Sequence, residues 1–135
     1  MKYLLENNIE GEIGTQKYLC TIFWRNGKLL MDEPESIGGN DLGPDPFSTF
    51  LASLAGCTLS TLRMYIDRKG WNISEIKISL NLSQETNEKL KTTISRTILF
   101  SSEVSDEQKE RLLIIADKCP ISKLLKGNIT INTTL

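Results

Sequence analysis

One segment limits the fold more than any other. From Pro46 to Lys69 no second proline intervenes, Asp45-Pro46 supplies a helix start, and Gly70 supplies a stop. The aspartate can accept from the free N–H groups of a first turn, and proline at the first helical position gives up no hydrogen bond. Gly70 follows the basic pair Arg68-Lys69, which suits the negative end of a helix dipole, and glycine commonly closes a helix. The pattern predicts a helix of about 24 residues, or some 36 Å. Phe50, Leu54, Cys57, Thr61 and Met64 share a narrow stripe, and Leu51, Ala55, Leu59, Leu62 and Ile66 broaden it. A helix apolar on more than one face must be covered on more than one side. It is therefore expected at the centre of the protein.

The rest of the chain reads mainly as strand. Tyr18, Cys20, Ile22 and Trp24 alternate with Leu19, Thr21 and Phe23, and Asn26-Gly27 predicts a type I′ turn into a second strand, Lys28 to Asp32. Glu33 to Asp45 holds three glycines, two prolines and four carboxylates with no lysine or arginine. This loop is longer than an ordinary connection, and both a site-forming lid and a solvated connector are open readings. Ile76 to Ser83 and Leu90 to Phe100 alternate as two further strands. Arg96 interrupts the apolar face of the second of these, and a buried guanidinium needs a carboxylate or backbone partner.

Ser105-Asp106-Glu107-Gln108 predicts a capping box opening a second helix. Pro120 drives Cys119 out of helical geometry and suits the start of a short third helix ending at Gly127. Asn128 to Leu135 is expected as a closing strand. The order β-β-α-β-β-α-α-β with antiparallel hairpins is an α+β plan, and 135 residues fit one domain spanning 1–135.

Composition then narrows the chemistry. With no histidine, Ser-His-Asp and Cys-His catalysis and imidazole zinc sites are excluded. The three cysteines lack C-x-x-C spacing and cannot build a tetrahedral thiolate cage, so no metal or cofactor is expected. Sixteen basic against seventeen acidic residues argue against a nucleic-acid or anionic-membrane partner. No apolar run approaches a membrane span, and the opening MKYLLENNIEGEIG lacks a secretory pattern, so a cytoplasmic location is expected. An odd cysteine count there points to free or redox-active thiols. Cys20 reads as a small strand hydrophobe and Cys57 as a helix-core residue. Cys119, at a helix start with Lys118 and Lys123 near in sequence, is expected to be the more acidic thiol, although an incidental junction cysteine is an open alternative.

The run GGNDLGPDPFSTFLASLAGCTLSTLRMYIDRKGW (Gly38 to Trp71) and the later IADKCPISKLLKG (Ile115 to Gly127) resemble the OsmC/Ohr family. Within it, the likeness is to the small OsmC-like (YhfA-like) redox proteins. The resemblance implies antiparallel sheets around a long central helix in an intertwined homodimer. It implies that Cys57 attacks an organic hydroperoxide, that Cys119 resolves the product as a disulfide, and that a dithiol such as dihydrolipoamide restores both thiols. Cys20 matches no functional position. An apolar surround raises the pKa of a thiol unless a cation or donor compensates, and an apolar pocket favours bulky hydroperoxides.

The family's peroxidases carry an arginine in the first hairpin region and a glutamate at the start of the helix. Here the Asn-Pro-Glu pattern reads Asp45-Pro46-Phe47, and the hairpin offers only Arg25, beside its turn. Arg96, Arg25 and Asp45 are therefore the candidates to support the thiolate. Two other readings share the scaffold: a dimeric protein that binds an apolar small molecule without turnover, and a thiol that senses oxidation.

Overall fold

In the computed structural model, which describes residues 2–135, the chain divides into two units, Met1–Phe50 and Leu51–Leu135. The first holds an antiparallel sheet in the order β1 (Glu10–Ile13), β2 (Cys20–Trp24) and β3 (Gly27–Met31). Strand β1 was not legible in its sequence, because Glu-Gly-Glu-Ile carries neither strand composition nor an apolar face; pairing with β2 makes it a strand. The β2–β3 turn is also displaced by one residue from expectation. Trp24 pairs with Gly27, so Arg25 and Asn26 form the loop, and neither has a positive φ. A type I′ turn is therefore ruled out. Gly27 serves a different purpose: a Cβ there would collide with the Trp24 indole.

The loop after β3 is organised by Asp32, which is only 2% exposed. Its carboxylate accepts from Glu33 N at 2.8 Å, Asn40 N at 3.3 Å and Leu42 N at 3.2 Å. A single side chain thus satisfies three backbone donors that the turns of the loop leave unpaired. The loop is thus anchored on a buried carboxylate, while Glu35 to Ile37 and Asn40 to Leu42 remain exposed to solvent.

Helix α1 (Pro46–Lys69) has the predicted bounds. Asp45 is its cap: Phe47 N donates to its carboxylate at 3.2 Å, and the Ser48 hydroxyl donates to it as well. At the other end Gly70 adopts φ 67°, with Gly70 N bonded to Asp67 O and Trp71 N to Ile66 O, both at 3.1 Å. These two bonds form the Schellman pattern that favours glycine.

In the second unit, β4 (Ile76–Thr86) and β5 (Leu90–Phe100) form an antiparallel hairpin in which Leu80 pairs with Arg96 and Ile78 with Ile98. Helix α2 (Asp106–Ala116) opens with the predicted capping box, both bonds of which are present. Helix α3 (Pro120–Lys126) starts at Cys119. Leu62, Tyr65 and Ile66 of α1 pack with Ile73 and with Leu112, Ile115 and Ala116 of α2, and Ile98 and Phe100 of β5 lean on that core. The face α1 buries is one step round from the expected stripe, running through Leu54, Thr58, Leu62, Tyr65 and Ile66. On the stripe itself, Phe50 and Met64 are exposed, the latter 64%, as is Phe47.

The expected closing strand is absent. Residues 128–135 carry no strand pairing, and Ile129 and Ile131 are exposed. A Thr- and Ile-rich segment becomes a strand only when it pairs with an edge, and residues 128–135 pair with none of the edges of the two sheets.

Candidate functional site

Cys57 and Cys119 come together in the second unit. Cys57 projects from the middle of α1 and is half-buried, whereas Cys119, at the start of α3, is fully buried. The Cys57 thiol lies beside Cys119, near the Thr61 side chain and the backbone of Ile121. Cys20 belongs to the other unit, in β2, where its S–H donates to Tyr18 O at 3.6 Å.

The donors around the two sulfurs are unequal. Cys119 Sγ accepts from Ser122 N and Ser122 Oγ, each at 3.4 Å, and from Thr58 Oγ1 at 3.9 Å. Burial by itself would raise the Cys119 thiol from its ordinary 9.0. The donors Cys57, Ser122 and Thr58 outweigh that cost and bring it down to about 7. Cys57 is pushed the other way, first by burial and then by the Cys119 sulfur it faces. The expectation that Cys119 is the more acidic thiol thus agrees with its surroundings.

Arg96 finds the carboxylate its position requires. Its Nη2 bonds Asp117 Oδ1 at 3.0 Å, and Lys126 Nζ meets the same oxygen at 3.1 Å. Its Nη1 donates to Thr58 Oγ1 at 2.9 Å and Ser122 Oγ at 3.0 Å. Arg96 therefore sits one shell behind Cys119 and makes no hydrogen bond to either sulfur. Arg25 lies exposed in the first unit's hairpin turn. The Asp45 carboxylate is taken up by the α1 cap, and the Ser48 hydroxyl and the N–H groups of Ser48 and Phe47 hold it below its usual value. Phe47, where the family's glutamate is expected, is 56% exposed.

Thr58, Ser122 and Asp117 were missed in the sequence. Two signals were available: Ser122 stands three residues after a helix-start cysteine, where its N–H must face that side chain, and Thr58 is a hydroxyl in line with Leu54 and Leu62. Two hollows flank Arg96. One, about 360 Å³, is lined chiefly by Ile98, Phe100, Leu112, Leu113 and Ala116. The other, about 520 Å³, includes Thr92, Asp117, Ser122 and Lys126. Among the described residues, no helix is long and apolar enough to cross a membrane.

Fold and site together define a small α+β protein with a facing pair of thiols backed by an arginine–hydroxyl network. The chain belongs to the OsmC family: the model described as OsmC-like protein matches residues 38–134. No curated protein matches it. Among solved structures, an OsmC-like protein from Mycoplasma pneumoniae superposes with TM-score 0.77 at 20% identity, over 93% of this chain and 90% of that one. An organic hydroperoxide resistance protein OsmC from Legionella pneumophila gives 0.69 at 21%, over 94% and 93%. The organic hydroperoxide resistance protein OhrB of Bacillus subtilis gives 0.66 at 19%, over 90% and 93%. At these identities the likeness is one of fold.

Proposed function

We propose that the protein is a homodimeric thiol-dependent reductase of organic hydroperoxides, with Cys57 as the attacking thiol and Cys119 as the resolving one. The observation that carries this reading is the meeting of two free thiols from distant parts of the sequence. Cys57 is the one that solvent can reach, which suits it to meet the oxidant. Its sulfur takes the terminal oxygen of ROOH, giving Cys57–SOH and ROH. Cys119 then displaces that oxygen as water and forms the disulfide, and an external dithiol such as dihydrolipoamide is oxidised as it restores both thiols. The names of the Legionella and Bacillus neighbours support the substrate class.

The test is a thiol count and intact mass after one equivalent of cumene hydroperoxide. Wild type should lose two thiols and gain a Cys57–Cys119 bond, while Cys57→Ser should form no intramolecular disulfide. Thiols that oxidise no faster than free cysteine would refute the reading. The apolar hollow beside Arg96 favours a second reading, a binding protein for an apolar small molecule without turnover. Neither cysteine is among the residues lining it.

A further inference from the structure

Removing a proton from Cys57 requires an acceptor, and the usual acceptors are missing. Among the described residues no carboxylate hydrogen-bonds either sulfur, and the chain has no histidine. The acceptor that does face Cys57 is Cys119. Its own environment is built to hold charge. A guanidinium has only donors, so Arg96 Nη1 occupies a lone pair of Ser122 Oγ and leaves the Ser122 proton to point at Cys119 Sγ. Thr58 shares its proton between Leu54 O at 2.8 Å and the sulfur at 3.9 Å, so Ser122 is the stronger of the two hydroxyl donors. Asp117, itself tied to Lys126, fixes the other arm of the guanidinium.

We propose that Cys119, in addition to resolving the disulfide, is the proton acceptor for Cys57, and that Arg96 is a positioning residue acting on it through Ser122. The inference rests on the hydroperoxide reading only for its oxidant. As the Cys57 sulfur attacks the outer oxygen of ROOH, its proton passes to the Cys119 thiolate. The O–O bond breaks and its electron pair leaves on RO⁻. Cys119 returns the proton to RO⁻, which departs as ROH. Cys119, a thiolate again, attacks the sulfur of Cys57–SOH; the S–S bond forms, hydroxide leaves, and a solvent proton makes it water. Two thiols lose two electrons in all, and one hydroperoxide becomes alcohol and water. Cys119 thereby supplies what Phe47 cannot, in place of the glutamate expected there. The lowered Cys119 and raised Cys57 agree with a resting pair in which Cys119 carries the charge and Cys57 the proton.

The ionisable groups set around Cys119 are Cys57 from α1, Arg96 from β5, Asp117 between α2 and α3, and Lys126 from α3. Lys118 and Lys123 are exposed. The experiment is alkylation of the reduced protein by iodoacetamide from pH 5.5 to 10, with the Cys57 peptide followed by mass spectrometry. In wild type the Cys57 rate should rise through an ionisation near 7. In Cys119→Ser it should fall roughly tenfold or more at neutral pH, its profile moving upward. Ser122→Ala and Arg96→Lys should move the profile upward while keeping its shape. A Cys119→Ser protein alkylated at Cys57 with the wild-type rate and profile overturns the proposal, and unmoved profiles in both other variants overturn the role of Arg96. Because iodoacetamide replaces the oxidant, the expected profiles beside a failed hydroperoxide assay would support this inference and remove the hydroperoxide reading alone.

Discussion

At the scale of single residues, Cys119 gives the reduced protein a pH dependence of its own. Its thiol ionises near 7 in the folded chain against an ordinary value of 9.0. The unfolded chain therefore binds more protons between those limits, and stability must rise with pH across them. The contribution is fully present above about 9 and is lost as pH falls through 7; the gap between the folded and ordinary values bounds it at about 2 to 3 kcal/mol. Urea titrations under reductant should show a midpoint that climbs from pH 7 to pH 9 in wild type and stays flat in Cys119→Ser. The acidity of Cys119 was legible only in part: Pro120 places its side chain at a helix start within reach of Ser122, whereas the donors Cys57 and Thr58 reach it through the fold. The place of Arg96 was legible only as a demand. Alternation put a guanidinium on an apolar face, but which hydroxyls and which carboxylate met it depended on how α1, β5 and α3 came together. Its assignment to Cys119 therefore had to come from geometry.

At the scale of elements, local signals carried far. The bounds of α1, the capping box of α2 and the Pro120 start of α3 are written in residues within one turn of each terminus. Pairing is not local, and there the sequence pattern misled: β1 exists through β2, and 128–135, for all its strand composition, pairs with neither sheet. The loop after β3 is intermediate, since its composition marked it as special but gave no hint that Asp32 would hold it. Asp32→Ala should leave three N–H groups unpaired and cost about 2 to 3 kcal/mol. Chemical denaturation should register that loss, and limited proteolysis should cut within 33–45 sooner than in wild type. A variant as stable and as resistant as wild type would mean that the loop does not depend on the carboxylate.

At the scale of the whole molecule, the expectation of a homodimer meets an exposed apolar stripe. Phe50 and Met64 lie uncovered on α1, on the helical stripe that also carries Cys57. A second copy seated there would bury the stripe and enclose Cys57. Light scattering at micromolar concentration should give twice the mass of the 15.2 kDa chain, and Phe50→Lys should shift the population toward monomer. A stable wild-type monomer at that concentration would reject the dimer. The stripe has a further consequence for how this protein is handled. If a second copy covers that stripe, part of the cohesion of the fold arrives only on encounter, and the melting temperature becomes a function of dose. Ten times more protein should melt later, and a sample diluted toward nanomolar should soften with no change in a single bond within the chain.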